Sequence, residues 1–145
     1  MIRYVKGDLC AAPEPLIIHG CNMQGVMGAG VARAIRAKWP IVYTTYRAWY
    51  ESQFREFKLG VVQTILVDDG KYVANLLSQR YCGSDGRKYA SYIAIVEGLT
   101  YIAKQNWSRI AMPKIGCGLG GLNWTVVEAL VDEVFADIDV AIYEL

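Results

Sequence analysis

The sequence lacks most of the residue groupings that mark a metal site, a membrane span or a secretory route. It has 145 residues but one histidine, and its four cysteines, Cys10, Cys21, Cys82 and Cys117, never fall in a CxxC spacing. Structural zinc needs four thiolate or imidazole ligands at short spacings, so that site is not expected, and reduced thiols are. No run of about 18 apolar residues occurs, and the start MIRYVKGDLC lacks the basic, apolar and small-residue order of a secretory signal. A cytoplasmic protein without metal or organic cofactor is the expectation. With a formal charge of +1 and no lysine or arginine tract, the chain carries no strong nucleic-acid or membrane-surface footprint. The expected partner is small. Repeats, low-complexity tracts and linker compositions are also missing, so residues 1–145 read as one domain.

What is present is ample material for a core. Apolar residues make up 54% and charged residues 20% of the chain, and short β-rich runs alternate with longer helical patterns. Strands are expected at Ile2 to Val5, Leu16 to His19, Val61 to Val67, Tyr72 to Leu77, Arg109 to Pro113 and Val140 to Tyr143, several apolar on both faces as in a covered sheet. The run Lys88 to Gln105 carries apolar residues at helical spacing, and Thr125 followed by Glu128 reads as a capping box before a second such run. Ala29 to Trp39 reads as a helix stopped by Pro40, and Tyr43 to Phe57 as another. Asp68-Asp69-Gly70 between two strand-like runs predicts a hairpin turn. The fold class is therefore α/β, with helices on both faces of a mixed, mostly parallel sheet.

Two glycine-rich segments carry the functional signal. GVMGAG at Gly25 to Gly30 and IGCGLGG at Ile115 to Gly121 each follow a strand-like run and lead into a helix-like run. Such a turn brings several backbone N–H groups and the positive end of a helix dipole to one point, which suits a phosphate. Two of them suit a diphosphate; a single cluster reads equally well as a tight turn. The first segment is spaced GxxGxG, not GxGxxG, and neither ends in Gly-Lys-Ser or Gly-Lys-Thr, so a dinucleotide dehydrogenase and a P-loop kinase are both disfavoured.

The ordered motifs KGDL at Lys6 to Leu9, LIIHGCN at Leu16 to Asn22, MGAGVA at Met27 to Ala32, MPKIGCGLGGLNW at Met112 to Trp124 and the terminal AIYEL resemble the macrodomain, an ADP-ribose-binding α/β/α module. The resemblance spans the whole chain. It is closest to the branch holding the terminal ADP-ribose protein glycohydrolase and the yeast-type ADP-ribose 1''-phosphate phosphatase. It implies a three-layer α/β/α fold and a set of binding residues. Asp8, with Leu9 beside it, stands where macrodomains accept a hydrogen bond from the adenine amino group; the other reading is a turn or cap carboxylate. Asn22 stands where the distal ribose is contacted. Met27, Gly28, Ala29, Gly30 and Val31 match the first diphosphate loop, and Ile115, Gly116, Cys117, Gly118, Leu119 and Gly120 the second. Tyr143 is similar in place to an aromatic that packs on adenine, or is a core tyrosine.

Catalysis turns on His19 and Asn22. His19 is expected at a strand end, pointing into the turn toward the distal ribose, either as a proton carrier near neutral pH or as a brace for the loop. The glycohydrolase branch is expected to use a lysine and an aspartate where this chain has Gln79 and Gly120, and another hydrolase branch an aspartate where it has Ala32. Arg80 cannot replace a nucleophilic lysine, because a guanidinium stays protonated. Phosphomonoester hydrolysis asks less of side chains, so the activity implied is dephosphorylation of ADP-ribose 1''-phosphate to ADP-ribose. The alternatives are a non-catalytic ADP-ribose reader and a hydrolase removing ADP-ribose from protein or nucleic acid.

Overall fold

A computed structural model describes residues 1–53, 56–83, 85 and 87–145. Six strands form one sheet in the order β1-β6-β5-β2-β4-β3, where β1 is Ile2–Lys6, β2 Leu16–Asn22, β3 Val62–Asp68, β4 Lys71–Gln79, β5 Arg109–Met112 and β6 Asp139–Glu144. All neighbours pair in parallel except β3, which runs antiparallel to β4 through the expected hairpin. Gly70 turns that hairpin at φ +67°, a left-handed value that glycine adopts without strain.

Alternation along the strands divides the core in two. Leu16 and Ile18 of β2 and Leu76 of β4 join Ile95, Leu99 and Ile102 of α3 (Tyr92–Ala103) and Val127 and Val131 of α4 (Trp124–Val134). Ile17, Cys21, Val73 and Leu77 face the other way, onto Ile35 of α1 (Gly30–Lys38) and Val42 and Tyr46 of α2 (Pro40–Ser52). Period-2 side chains buried on both faces require helices on both faces, and the result is the three-layer architecture.

The boundaries differ from the sequence reading for local reasons. Strand β2 runs three residues past His19, because Gly20 and Cys21 still pair with Leu76 and Leu77 and a bulge admits Asn22 opposite Gln79. Helix α3 starts at Tyr92, not near Lys88: Tyr89 and Ala90 donate their N–H groups to Gly120 O, and Ser91 caps the helix by accepting from Ala94 N. Asn123, not Thr125, caps α4, accepting from Thr125 N; Glu128 instead accepts from Tyr4 Oη. Pro40 does not simply stop α1 but opens α2, where its missing N–H costs nothing. That helix ends at Ser52 with Gln53 in the left-handed region, and the expected reach to Phe57 crosses residues 54–55, which lie outside the described residues.

The topology fixes where a site can form. From β2 the chain crosses by α1 and α2 to the β3–β4 side, whereas from β5 it crosses by α4 to β6. The loops leaving the carboxyl ends of the adjacent strands β2 and β5 therefore diverge and leave a crevice between them.

Candidate functional site

A cleft of about 620 Å³ occupies that crevice. Its lining brings together His19, Asn22, Met27 to Val31 from the first glycine loop, and Ile115 to Gly120 from the second. Asp8, Leu9 and Tyr143 do not line it. Asp8 caps a single 3-10 turn at Leu9–Ala11 by accepting from Cys10 N at 2.9 Å, Leu9 is buried, and the Tyr143 hydroxyl donates to Glu14 Oε1 at 3.0 Å. All three follow or end the parallel strands β1 and β6, which lie on the β5 side of the cleft.

Both glycine loops present free backbone donors. Helix α1 begins at Gly30 with no side-chain cap on its first turn, and the N–H groups of Gly30, Val31 and Ala32, which line the cleft, have no acceptor among the described residues. Across from them, the N–H groups of Gly118, Leu119 and Gly120 have no acceptor among the described residues. A Cβ added at Gly28 or Gly118 would meet nothing within 4 Å, so the loop surface is bare backbone. Gly120 is different. Its Cβ would stand 2.6 Å from Gly116 O, so the second loop is folded too tightly on itself to admit any side chain there.

The first loop is braced from below by groups that sequence reasoning missed. Tyr46 of α2, fully buried, accepts from Gly25 N at 3.1 Å and reaches Asn22 O at 2.6 Å and Asn22 Oδ1 at 2.9 Å. Burial raises the Tyr46 phenol well above its ordinary value, so its proton stays on this contact. Arg47 Nη1 donates to Gly25 O at 3.1 Å. The Asn22 amide also donates to Val26 O and accepts from Gln24 N, so it is mostly engaged in holding its own loop and keeps one N–H for a ligand.

The structure corrects the expected place of His19 at a strand end. It is the fourth residue of a seven-residue strand, and only 1% exposed. Its Nε2 contacts Asn75 Oδ1 at 2.5 Å, Cys21 Sγ lies 3.6 Å away, and Nδ1 is buried without a partner among the described residues. Burial lowers its pKa to about 4, with the Asn75 hydrogen bond opposing only in part. At neutral pH the ring is uncharged.

Ser78 and Gln79 at the end of β4, Cys82 just beyond it and Lys114 just beyond β5 also line the cleft. Lys114 was visible inside the MPKIGCG motif, and its ammonium pairs loosely with Glu144 at 3.7 Å while remaining partly exposed. Burial pushes the Cys117 thiol up to about 11, so it is a neutral wall group. Gln79 donates to Tyr81 O at 2.7 Å. No aspartate or glutamate lines the cleft among the described residues, and no cluster of metal-ligating side chains exists among them.

The Macro domain family model matches residues 18–131, a span that holds both glycine loops. The chain is 29% identical to a DNA ADP-ribosyl glycohydrolase of Mycobacterium tuberculosis over 99% of its own length, but spans only 42% of that relative. It is 32% identical to an ADP-ribose glycohydrolase of Homo sapiens, covering 99% of this chain and 91% of that one. An ADP-ribose 1''-phosphate phosphatase of Scheffersomyces stipitis is 28% identical, over 97% and 98% of the two chains. Among solved structures, the macrodomain of Mycobacterium tuberculosis DarG superposes with a TM-score of 0.86 at 26% identity, covering 100% of this chain and 98% of that one.

Proposed function

We propose an activity on one premise: the chain belongs to the Macro domain family, whose model spans most of it. The cleft binds ADP-ribose, and the bound form that it turns over is ADP-ribose 1''-phosphate, hydrolysed to ADP-ribose and inorganic phosphate. The observation that carries this reading is the pairing of two glycine-rich loops, each with N–H groups that have no partner among the described residues, across a cleft without a carboxylate among those residues. Such a site neutralises phosphate oxygens through dipoles that need no reorganisation.

In the hydrolysis, water attacks phosphorus as the bond from phosphorus to the 1'' oxygen breaks, and that oxygen leaves with a proton from solvent. Transition-state charge accumulates on the equatorial phosphoryl oxygens, where fixed N–H groups and a nearby Lys114 ammonium stabilise it. Asn22 holds the distal ribose with its remaining N–H. His19 works as a neutral imidazole, because a ring with a pKa of about 4 is no proton donor at neutral pH.

A second reading, release of ADP-ribose from a macromolecule, is favoured by the glycohydrolase relatives. Against it, Gln79 offers no amine for a covalent lysyl intermediate, and Gly120 has no room for a carboxylate. Phosphate release from ADP-ribose 1''-phosphate by the purified chain, set beside ADP-ribose release from modified protein and modified DNA, separates the two. Phosphate release alone supports the phosphatase; ADP-ribose release alone replaces it.

A further inference from the structure

His19, Asn75 and Gln63 form a row of polar side chains across three neighbouring strands. His19 of β2 is in register with Asn75 of β4, and Asn75 with Gln63 of β3. The row lies on the α1/α2 face, between rungs of apolar residues, and His19 and Asn75 are buried. A buried polar row in an apolar layer is costly unless each member is satisfied, and the way these members satisfy one another sets a direction.

The direction starts at Thr45 in α2. Its backbone carbonyl can only accept, and Gln63 Nε2 donates to it at 3.3 Å. The Gln63 oxygen therefore faces the other way and accepts from Asn75 Nδ2 at 3.1 Å. That turns Asn75 Oδ1 toward His19 Nε2, 2.5 Å away. An amide oxygen cannot donate, so Nε2 must carry the hydrogen. In a neutral ring Nδ1 is then a lone pair. Nδ1 is the one buried side-chain nitrogen or oxygen without a partner among the described residues, and it belongs to a residue that lines the cleft. Native structures seldom leave such an atom unpaired without a ligand or water to meet it.

We propose that Asn75 and Gln63 are positioning residues that lock His19 in its Nε2–H form, so that Nδ1 serves as a fixed acceptor for a hydroxyl of the distal ribose. The identity of the hydroxyl donor rests on the cleft being an ADP-ribose site; the lock does not. The device selects for a ligand that brings an O–H, and it discriminates against one that ends at the first phosphate. It also assigns His19 the opposite polarity from a general acid: it receives a hydrogen bond where an acid would supply a proton.

Because the chain has one histidine, its imidazole nitrogens give a single pattern in long-range nitrogen–proton NMR. In the ligand-free protein at neutral pH, Nε2 should read as protonated and Nδ1 as unprotonated; the reverse tautomer overturns the lock. ADP-ribose should shift the Nδ1 resonance and AMP should not. ADP-ribose that binds by calorimetry yet leaves Nδ1 unmoved overturns the proposed contact, whereas ADP-ribose that does not bind removes the reading of the cleft and leaves the tautomer result standing. Asn75→Ala should give a tautomer mixture and weaken ADP-ribose binding about tenfold while AMP binding stays within a few-fold, and Asn75→Asp, which restores an acceptor, should return the Nε2–H form. A merely structural Asn75 would change stability in both variants and the tautomer in neither.

Discussion

Acid should destabilise this protein in part through His19. Its pKa is about 4 in the folded state against an ordinary value of 6.5, because burial disfavours the charged ring. For a histidine depressed on folding, the unfolded chain takes up the proton first. Stability is therefore intact above the unfolded pKa and is lost as pH falls from about 6.5 toward about 4. At about pH 5 the unfolded form is roughly 97% protonated and the folded form about 10%, and the free-energy difference is of order 2 kcal/mol. The full effect below both values approaches about 3 kcal/mol, a large share of the roughly 5–15 kcal/mol that a domain has in total. Urea unfolding at about pH 7.5 and about pH 5 measures it, since a slope near 1.5 kcal/mol/M turns a 2 kcal/mol loss into a midpoint shift of about 1.3 M. Carboxylates also titrate in this range, so the comparison is with His19→Gln, which keeps an N–H for Asn75 but cannot titrate. The variant should lose about 2 kcal/mol less between the two pH values. Parallel losses in both proteins would refute the assignment of a buried, neutral His19.

Other perturbations test the loops and the chemistry. Gly118→Val should abolish ADP-ribose binding while leaving the thermal midpoint within about 2 °C, because its Cβ enters open space over the loop and touches no core atom; a differential scanning run beside a titration checks both halves. Gly120→Ala, by contrast, should lower the midpoint, since its Cβ would meet a backbone oxygen of the same loop. Tyr46→Phe removes the brace under the first loop, leaving the Gly25 N–H and the Asn22 carbonyl short of a partner; urea unfolding should show a loss of about 1–3 kcal/mol and binding should weaken with it. The double change Gln79→Lys with Gly120→Asp should not create glycohydrolase activity on glutamate-modified protein, because the second loop cannot seat the introduced carboxylate; ADP-ribose release by that double variant would contradict the second-loop geometry.

The strands and both glycine loops were legible because their signals are local. Val73, Leu77, Leu16 and Ile18 announce a sheet covered on both sides by alternation alone, and Gly28, Gly30 and Gly118 mark the turns whose backbone lies bare at the cleft. Tyr46 was not legible as a loop brace. It sits in a helical pattern 21 residues after Gly25, and nothing short of the packing of α2 beneath β2 says that its hydroxyl will meet that glycine. The polar row was hidden for the same reason: the hairpin puts Gln63 and Asn75 on paired strands, but His19 joins Asn75 only through parallel register, which an isolated sequence does not give. The Thr125–Glu128 box misled because Asn123 stood two residues earlier with a better acceptor for the first turn. Tyr81 to Lys88, a Gly/Ser/Asp-containing stretch, includes residues 84 and 86, which lie outside the described residues. Cys82, within that stretch, joins the first loop through Gln24 Oε1.

Calorimetric titration of the wild-type chain with ADP-ribose is the most direct test of the central claim, that two backbone loops across the β2/β5 crevice form one diphosphate-binding site. Saturable heat at one site, weaker for AMP, which has one phosphate fewer and no distal ribose, and lost in Gly118→Val with the fold retained, is the expected result. Absence of heat at about millimolar ADP-ribose, or undiminished binding by the folded Gly118→Val variant, would contradict the assignment of that cleft.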